Sequence, residues 1–288
     1  DNTSRTAGAV SLTAVGVLVN RLGRSIKHQN LPQPGDLPPM INENATRSLA
    51  HYKHRANAEV LAPLGIGMPT VLVETPDHIA SFTATHGAEE YIVKPNTGTF
   101  SRGVQRVAVG DLSTIFSRQS DLYGTQILQP AYNFSQPFPS CLRPYDAASA
   151  EEFEGWRNRE VPKELRIYGF HAPGQTTVFP VARALDVDGD HWLFVDPESV
   201  PLHLLERTAM AVQRVADISG AIAVAGTVDY GFGTYNADDP DWRAIELNGR
   251  SPYLIGYAKH RGVADRLRTL FAAQIAATAF AVRSEMLE

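Results

Sequence analysis

Two late segments carry the residue types best suited to chemistry, Thr227-Val-Asp229-Tyr-Gly and Ala244-Ile-Glu246-Leu-Asn248-Gly-Arg250. Each begins as a short apolar run with β-branched residues, the pattern of a buried strand, and each places oxygen donors near its end. Glu246 and Asn248 are two apart, so on a strand both side chains leave by one face. Asp229, on the preceding strand of an expected hairpin, can reach the same point. Two carboxylates and an amide oxygen make a hard, oxygen-only set of the kind Mg²⁺ takes, with phosphates and water completing the octahedron. Three surface polar residues on unrelated strands would read the same on this spacing alone.

A second group lies upstream. Lys94 follows the apolar run Tyr91-Ile-Val and precedes the loop Thr97-Gly98-Thr99-Phe100-Ser101-Arg102-Gly103. A lysine there places a point charge beside phosphate oxygens. The loop offers backbone N–H groups and hydroxyls to a polyphosphate, its glycines permitting close approach. Arg166 and Arg183, each expected on a strand, add charge-assisted bonds of about 1.5–3 kcal/mol apiece where they are shielded from water. A surface hairpin with ordinary arginines is the competing reading. Other signatures are absent. Gly98 and Gly103 are spaced as in a Walker loop, but Val104-Gln105 follow where Lys-Ser/Thr would stand. Gly231 and Gly233 lack the third glycine of a dinucleotide fingerprint, and there is neither a Gly-x-Ser-x-Gly elbow nor a His-Glu-x-x-His frame. His51 and His54, three apart on a helix, read as a solvated pair before they read as metal ligands.

These residues need a framework to hold them. At 288 residues and 43% apolar, the chain can build one large core or two to three small ones. A net charge of −5 with interspersed signs argues against nucleic acid as a partner. Cys141 is the one cysteine, which excludes an intrachain disulfide and any multi-cysteine metal site and fits a cytoplasmic setting. The most apolar stretches, 7–19 and 271–282, are too short to span a bilayer.

The periodicity predicts a strand over 10–20, a proline-rich loop over 28–43, and a helix from Asn44 to about Leu64 closed by Gly65. Strands follow at 69–73, 91–95 and 104–109, with helices opening at Pro76 and over 111–119 and a strand at 126–130. Residues 131–162 read as a long loop with one helical turn, an insertion or lid. Strands at 165–170, 178–185 and 192–195 precede a helix whose expected inner face is Leu205, Ala209, Val212, Ala216 and Ser219, and the chain ends in a helix from about Val263.

In order, Lys53 on a helix, Lys94 before a glycine-containing loop, Gln126–Gln129, Glu164-Leu-Arg166, Asp229 and Glu246-x-Asn248 resemble the ATP-grasp superfamily over about residues 40–288. The phrase Leu61-Ala-Pro-Leu-Gly-Ile-Gly-Met-Pro69-Thr70 looks like that family's entry to its middle subdomain. The resemblance implies an α+β fold in which ATP lies between two subdomains, with a short N-terminal α/β part. It divides the chain into 1–75, a lid subdomain 76–128 and a C-terminal subdomain 129–288. Lys53 and Lys94 then match the lysines on the α- and β-phosphates and the adenine edge, and Thr97–Gly103 the lid over the phosphates. Gln129, Pro130, Ala131 and Tyr132 match the hinge that binds adenine, Glu164 the acid on the ribose, and Arg166 the arginine near the γ-phosphate. Asp229, Glu246 and Asn248 match the ligands of two Mg²⁺ ions, or Mn²⁺ in their place. Arg183 is a further cleft arginine, and Arg250 is the candidate grip on a substrate carboxylate, with a structural salt bridge as its other reading.

The activity implied is ATP-dependent carboxylate–amine ligation on a small-molecule or peptide substrate, most like the branch with ribosomal-protein glutamate ligases and peptide-crosslinking ligases. A small-molecule kinase and a nucleotide-binding regulator are the alternatives. The short N-terminal part leaves room for a homodimer. The departures from the pattern fall on the acceptor side: few residues before the first matching helix, the 131–162 segment, and Gly249-Arg250 after the asparagine.

Overall fold

The computed structural model describes residues 18–19, 40–41, 44–97, 103–186, 189–236, 240–249 and 261–285. Strand β1 (Leu18–Val19) pairs in parallel with β2 (Met40–Ile41), so the end of the expected proline-rich loop is strand; most of the expected first strand lies outside the described residues. The helix expected from Asn44 to Leu64 is interrupted. It runs as α1 (Asn44–His51), breaks at Tyr52 in an extended conformation (φ −90°, ψ 99°), and resumes as α2 (Lys53–Ala56). A π-helical turn, Asn57–Leu61, follows, and Gly65 at φ 72° ends the segment in the left-handed region that glycine tolerates. The break has a tertiary cause: Lys53 N–H and His54 N–H donate to Asn96, outside the helix.

The first of two larger sheets is antiparallel. Its elements are β3 (Val71–Val73), α3 (Pro76–His86), β4 (Glu90–Pro95), β5 (Gln105–Ala108), α4 (Leu112–Tyr123) and β6 (Gln126–Pro130), with strand order β3-β6-β4-β5. Helix α3 opens with Pro76, whose fixed φ suits the first turn, and closes on Gly87 at φ 58°. Tyr91, Val93 and Leu128 pack against α3 and α4 with Ile79 and Leu112. Strand alternation therefore turns Ile92, Lys94, Ile127 and Gln129 to the other face, toward the rest of the molecule.

The second sheet has five strands. After α5 (Ala150–Arg157) come β7 (Lys163–Ala172), β8 (Gln175–Asp186), β9 (Gly189–Leu193), α6 (Leu202–Ser219), β10 (Val224–Gly233), β11 (Asp241–Asn248) and α7 (Arg261–Glu285), in strand order β11-β10-β7-β8-β9. Helix α6 covers one face, where Leu165, Ile167, Val228 and Tyr230 form the main core with Leu204, Val212 and Val215. Its buried face is Leu204, Thr208, Ala211, Val212, Val215 and Ala216, so the expected Val212 and Ala216 are buried while Leu205, Ala209 and Ser219 lie at its half-buried margin. Approach is close: a Cβ at Gly169 would meet Val212 Cγ1 at 2.5 Å. Helix α7 covers part of the other face, over Tyr168, Phe170 and Ala225. No helix among the described residues is long and apolar enough to cross a membrane.

The 131–162 segment is corrected by the structure. It is neither lid nor loose insertion, because Phe138, Leu142, Phe153 and Trp156 are buried in the main core. Phe138 meets Trp156 and Trp242 edge-on, and the buried Lys163 ammonium donates to the carbonyls of Ser135, Arg159 and Val161. Phe153 is 0% exposed, so Phe153→Ala should cost about 3–5 kcal/mol in urea unfolding. A loss below about 1 kcal/mol would restore the peripheral reading.

Candidate active site

The cleft lies between the inward face of the four-stranded sheet and the β10–β11 end of the five-stranded one. Lys53, Asn57, Lys94, Gln129 and Glu246 line it. The hairpin expected from the sequence is present: Asp229 lies opposite Glu246 and Thr227 opposite Asn248 in an antiparallel ladder. An irregularity in that ladder aims the site. Asp229 pairs with Glu246, yet Tyr230 pairs with Ala244, so Ile245 is an extra, unpaired residue. Trp242, Ala244 and Leu247 all belong to the main core. Simple alternation from Ala244 would send Glu246 into that core; the bulge turns it, and Asn248 with it, to the cleft. The bulge has a partner. Ala244 N–H donates to Ile66 O at 2.8 Å, and Gly67 bridges Ala244 in parallel. Only glycine fits at 67, where a Cβ would meet Asn57 Oδ1 at 2.5 Å.

That same connector reaches the end of β6. Asn57 Nδ2 and the Thr70 hydroxyl both donate to Met68 O, and Gln129 Nε2 donates to Thr70 Oγ1 at 2.7 Å. Beyond Gln129, Ala131 N–H donates to Glu90 O and Tyr132 N–H to Pro130 O. Asn133 N–H donates to Thr234 O, and Tyr132 stacks on Phe134 with ring centroids 5.5 Å apart. Gly231 and Gly233 serve this packing and not a dinucleotide, since a Cβ at either would strike Phe134 or the Asn133 carbonyl.

Charge is dense and poorly hydrated in the cleft. Lys94 is 7% exposed, and burial pulls its ammonium down to about 8, with Glu246 and Glu164 opposing that and Lys53 adding to it. Lys53 Nζ lies 3.6 Å from Glu246 Oε1. Asp229, 3% exposed, accepts both Arg166 Nε (2.7 Å) and Nη2 (2.6 Å), and Asn248 Nδ2 donates to its Oδ2 at 3.1 Å. Burial works against the Arg166 charge, but Asp229 outweighs it and raises the guanidinium above its ordinary value. For a divalent metal, Glu246 and the Asn248 amide oxygen are the available donors, and Asp229 joins them when Arg166 yields it. Among the described residues no three His, Cys, Asp or Glu side chains gather in one place, so the amide oxygen is needed to complete an all-oxygen set.

The structure thus brings Lys53, Lys94, Gln129, Glu164, Arg166, Asp229, Glu246 and Asn248 to one region. Arg183 lies opposite Glu164 in the β7–β8 ladder, which places its backbone only. Thr97 and Gly103 bracket the expected lid; Gly98, Thr99, Phe100, Ser101 and Arg102 lie outside the described residues, as does Arg250. Sequence reading gave no role to Asn57 or Asn96, whose side-chain amides bond backbone groups of other segments, and quoted Ile66 and Gly67 only within a family phrase without foreseeing their contact with Ala244; such contacts leave no local spacing signal.

Sequence comparison finds no matching family model and no matching curated protein. Solved structures do match. D-cycloserine synthetase DcsG is 19% identical with a TM-score of 0.55, covering 84% of this chain and 75% of its own. D-alanyl-alanine synthetase A from Vibrio cholerae O1 biovar eltor str. N16961 is 12% identical with a TM-score of 0.53, covering 85% and 69%. The D-alanine-D-alanine ligase from Coxiella burnetii is 10% identical with a TM-score of 0.55, covering 86% and 63%. These likenesses show the fold: the chain is α+β and has the ATP-grasp fold.

The Lys94 environment makes a pH prediction. If Lys94 meets nucleotide phosphates, as the resemblance implies, they favour the ammonium, so ADP binding without added metal should take up more protons at about pH 9 than at about pH 7.5, where the lysine is already largely charged and the ADP phosphates are largely ionised. Affinity should accordingly fall as pH rises through about 8. The unfolded chain keeps its lysine protonated up to about 10.5, so the nucleotide-free protein gains stability from Lys94 across the 8–10.5 window, the opposite sign. Calorimetry in buffers of different ionisation enthalpy measures the uptake, and equal proton uptake at both pH values would contradict the assignment.

Proposed function

We propose that the chain is an ATP- and Mg²⁺-dependent ligase that activates a substrate carboxylate as an acyl phosphate for attack by an amine. The observation carrying this reading is the meeting of Lys53 and Lys94, from separate elements, with Glu246 across one cleft. Cations set against a carboxylate–amide pair suit a metal-bound polyphosphate, and the ATP-grasp fold and its neighbours named as ligases and synthetases support the class.

In this reading Lys94 and Lys53 hold the α- and β-phosphates, Gln129 to Tyr132 border the adenine, and Glu164 takes the ribose. Divalent metal held by Glu246, Asn248 and Asp229 supplies charge neutralisation on the γ-phosphate. Arg166 then stands where developing negative charge needs a cation. The protein provides alignment and charge without a covalent nucleophile of its own. The substrate carboxylate oxygen attacks the γ-phosphorus and ADP leaves. The amine then adds to the acyl carbon, loses a proton and expels phosphate. Arg183 and Arg250 are the acceptor-side candidates, for a small-molecule or peptide carboxylic acid.

Glu246→Gln keeps shape and removes one charge from the metal set. It should abolish ATP turnover while the chain still folds, with a modest loss of stability because Glu246 lies 3.6 Å from Lys53 and opposes the burial of the Lys94 charge. Wild-type turnover at ordinary Mg²⁺ would remove Glu246 from the site.

The reaction class has its own test. With candidate carboxylic acids and ATP but no amine, hydroxylamine should trap a hydroxamate with ADP and phosphate released. A stable phosphate ester without phosphate release identifies a kinase instead, and AMP as product overturns both.

A further inference from the structure

Resting on that nucleotide-binding reading, we propose that Asn96 is a positioning residue that sets the distance between the two cleft lysines. Asn96 follows Lys94 by two residues and is 8% exposed. Its Oδ1 accepts His54 N–H at 2.9 Å, and its backbone carbonyl accepts Lys53 N–H at 2.9 Å. Its own N–H donates to Thr125 O at 2.9 Å, which anchors it at the foot of β6. One residue therefore ties the strand that carries Lys94 to the first turn of the helix that carries Lys53.

The tie opposes two forces. Lys53 and Lys94 are like charges in a nearly dry cleft, and their repulsion works to separate α2 from β4. Helix α2 also competes with its own predecessor. The Lys53 and His54 N–H groups would find carbonyls one turn back if α1 and α2 ran on as one helix. Removing the extended residue Tyr52 from between them would swing Lys53 to another azimuth around the axis. Tyr52 makes no side-chain cap to hold the break open, so the Asn96 oxygen does so as a cap supplied from outside the helix. The Lys53 N–H bond uses backbone alone and survives substitution at 96; the His54 bond does not.

The test is ADP binding to the full chain without added metal, by calorimetry. Asn96→Ala should weaken ADP about tenfold, whereas Asn96→Asp, which keeps an acceptor oxygen at the same reach, should retain the His54 bond and weaken ADP less than Asn96→Ala does. Because Asn96 acts through Lys53, Asn96→Ala placed on Lys53→Ala should change affinity by less than about twofold. If Asn96→Ala does not fold, Asn96→Leu, equal in bulk and lacking an acceptor, takes its place in the same cycle. Unchanged affinity in Asn96→Ala, or its full effect persisting on Lys53→Ala, overturns the positioning role. Should Lys53→Ala and Lys94→Ala each leave ADP binding intact, the nucleotide reading itself fails, a result distinct from failure at Asn96 alone.

Discussion

An ammonium at 7% exposure needs either carbonyl acceptors, as Lys163 has, or nearby anions, and Lys94 is the constraint around which this cleft is arranged. Glu246 and Glu164 face it from the other sheet, and Lys53 sits close enough to oppose them. Arg166 and Asp229 satisfy one another in the same region through two short hydrogen bonds. Each sheet thus presents charge that the other must balance, so the two halves are held together by electrostatics as well as by the connector from Gly65 to Thr70.

Much of this was legible in the residues. The hairpin that pairs Asp229 with Glu246 followed from two apolar runs ending in oxygen donors, and β4, β5 and β6 followed from alternation and proline boundaries. The order of the lysines, the Glu-x-Arg and the Glu-x-Asn pointed to the ATP-grasp fold that the neighbours show. What stayed hidden depended on partners far away in sequence. Tyr52 sits in a run with helical periodicity, and nothing local announces that Asn96 will take two of its neighbours' N–H groups. The aromatic residues of 131–162 looked like loop because prolines separate them, although Phe138 and Trp156 complete the main core. Tertiary burial overrode local punctuation there.

The connector Leu61–Thr70 illustrates how one short phrase can serve three places at once. Its glycine at 65 ends a helix, the carbonyl of Ile66 holds β11, and the carbonyl of Met68 collects Asn57 and Thr70, which passes the constraint on to Gln129. The segment after Lys53, strand β11 and the end of β6 are therefore placed by a single continuous piece of backbone. Ordinary side-chain packing could not give that register, because apolar contacts have no direction and hydrogen bonds do.

The unpaired Ile245 divides β11 into two stretches with independent parity. Upstream of it, even-numbered positions build the core; downstream, even-numbered positions build the site. Substitution can therefore remodel either stretch while the other keeps its facing. Loss of Ile245 would restore plain alternation, with Ala244 still toward the core and Glu246 still toward the cleft. What the strand cannot absorb is keeping that residue while losing the kink, since straight pairing would carry Glu246 and Asn248 inward.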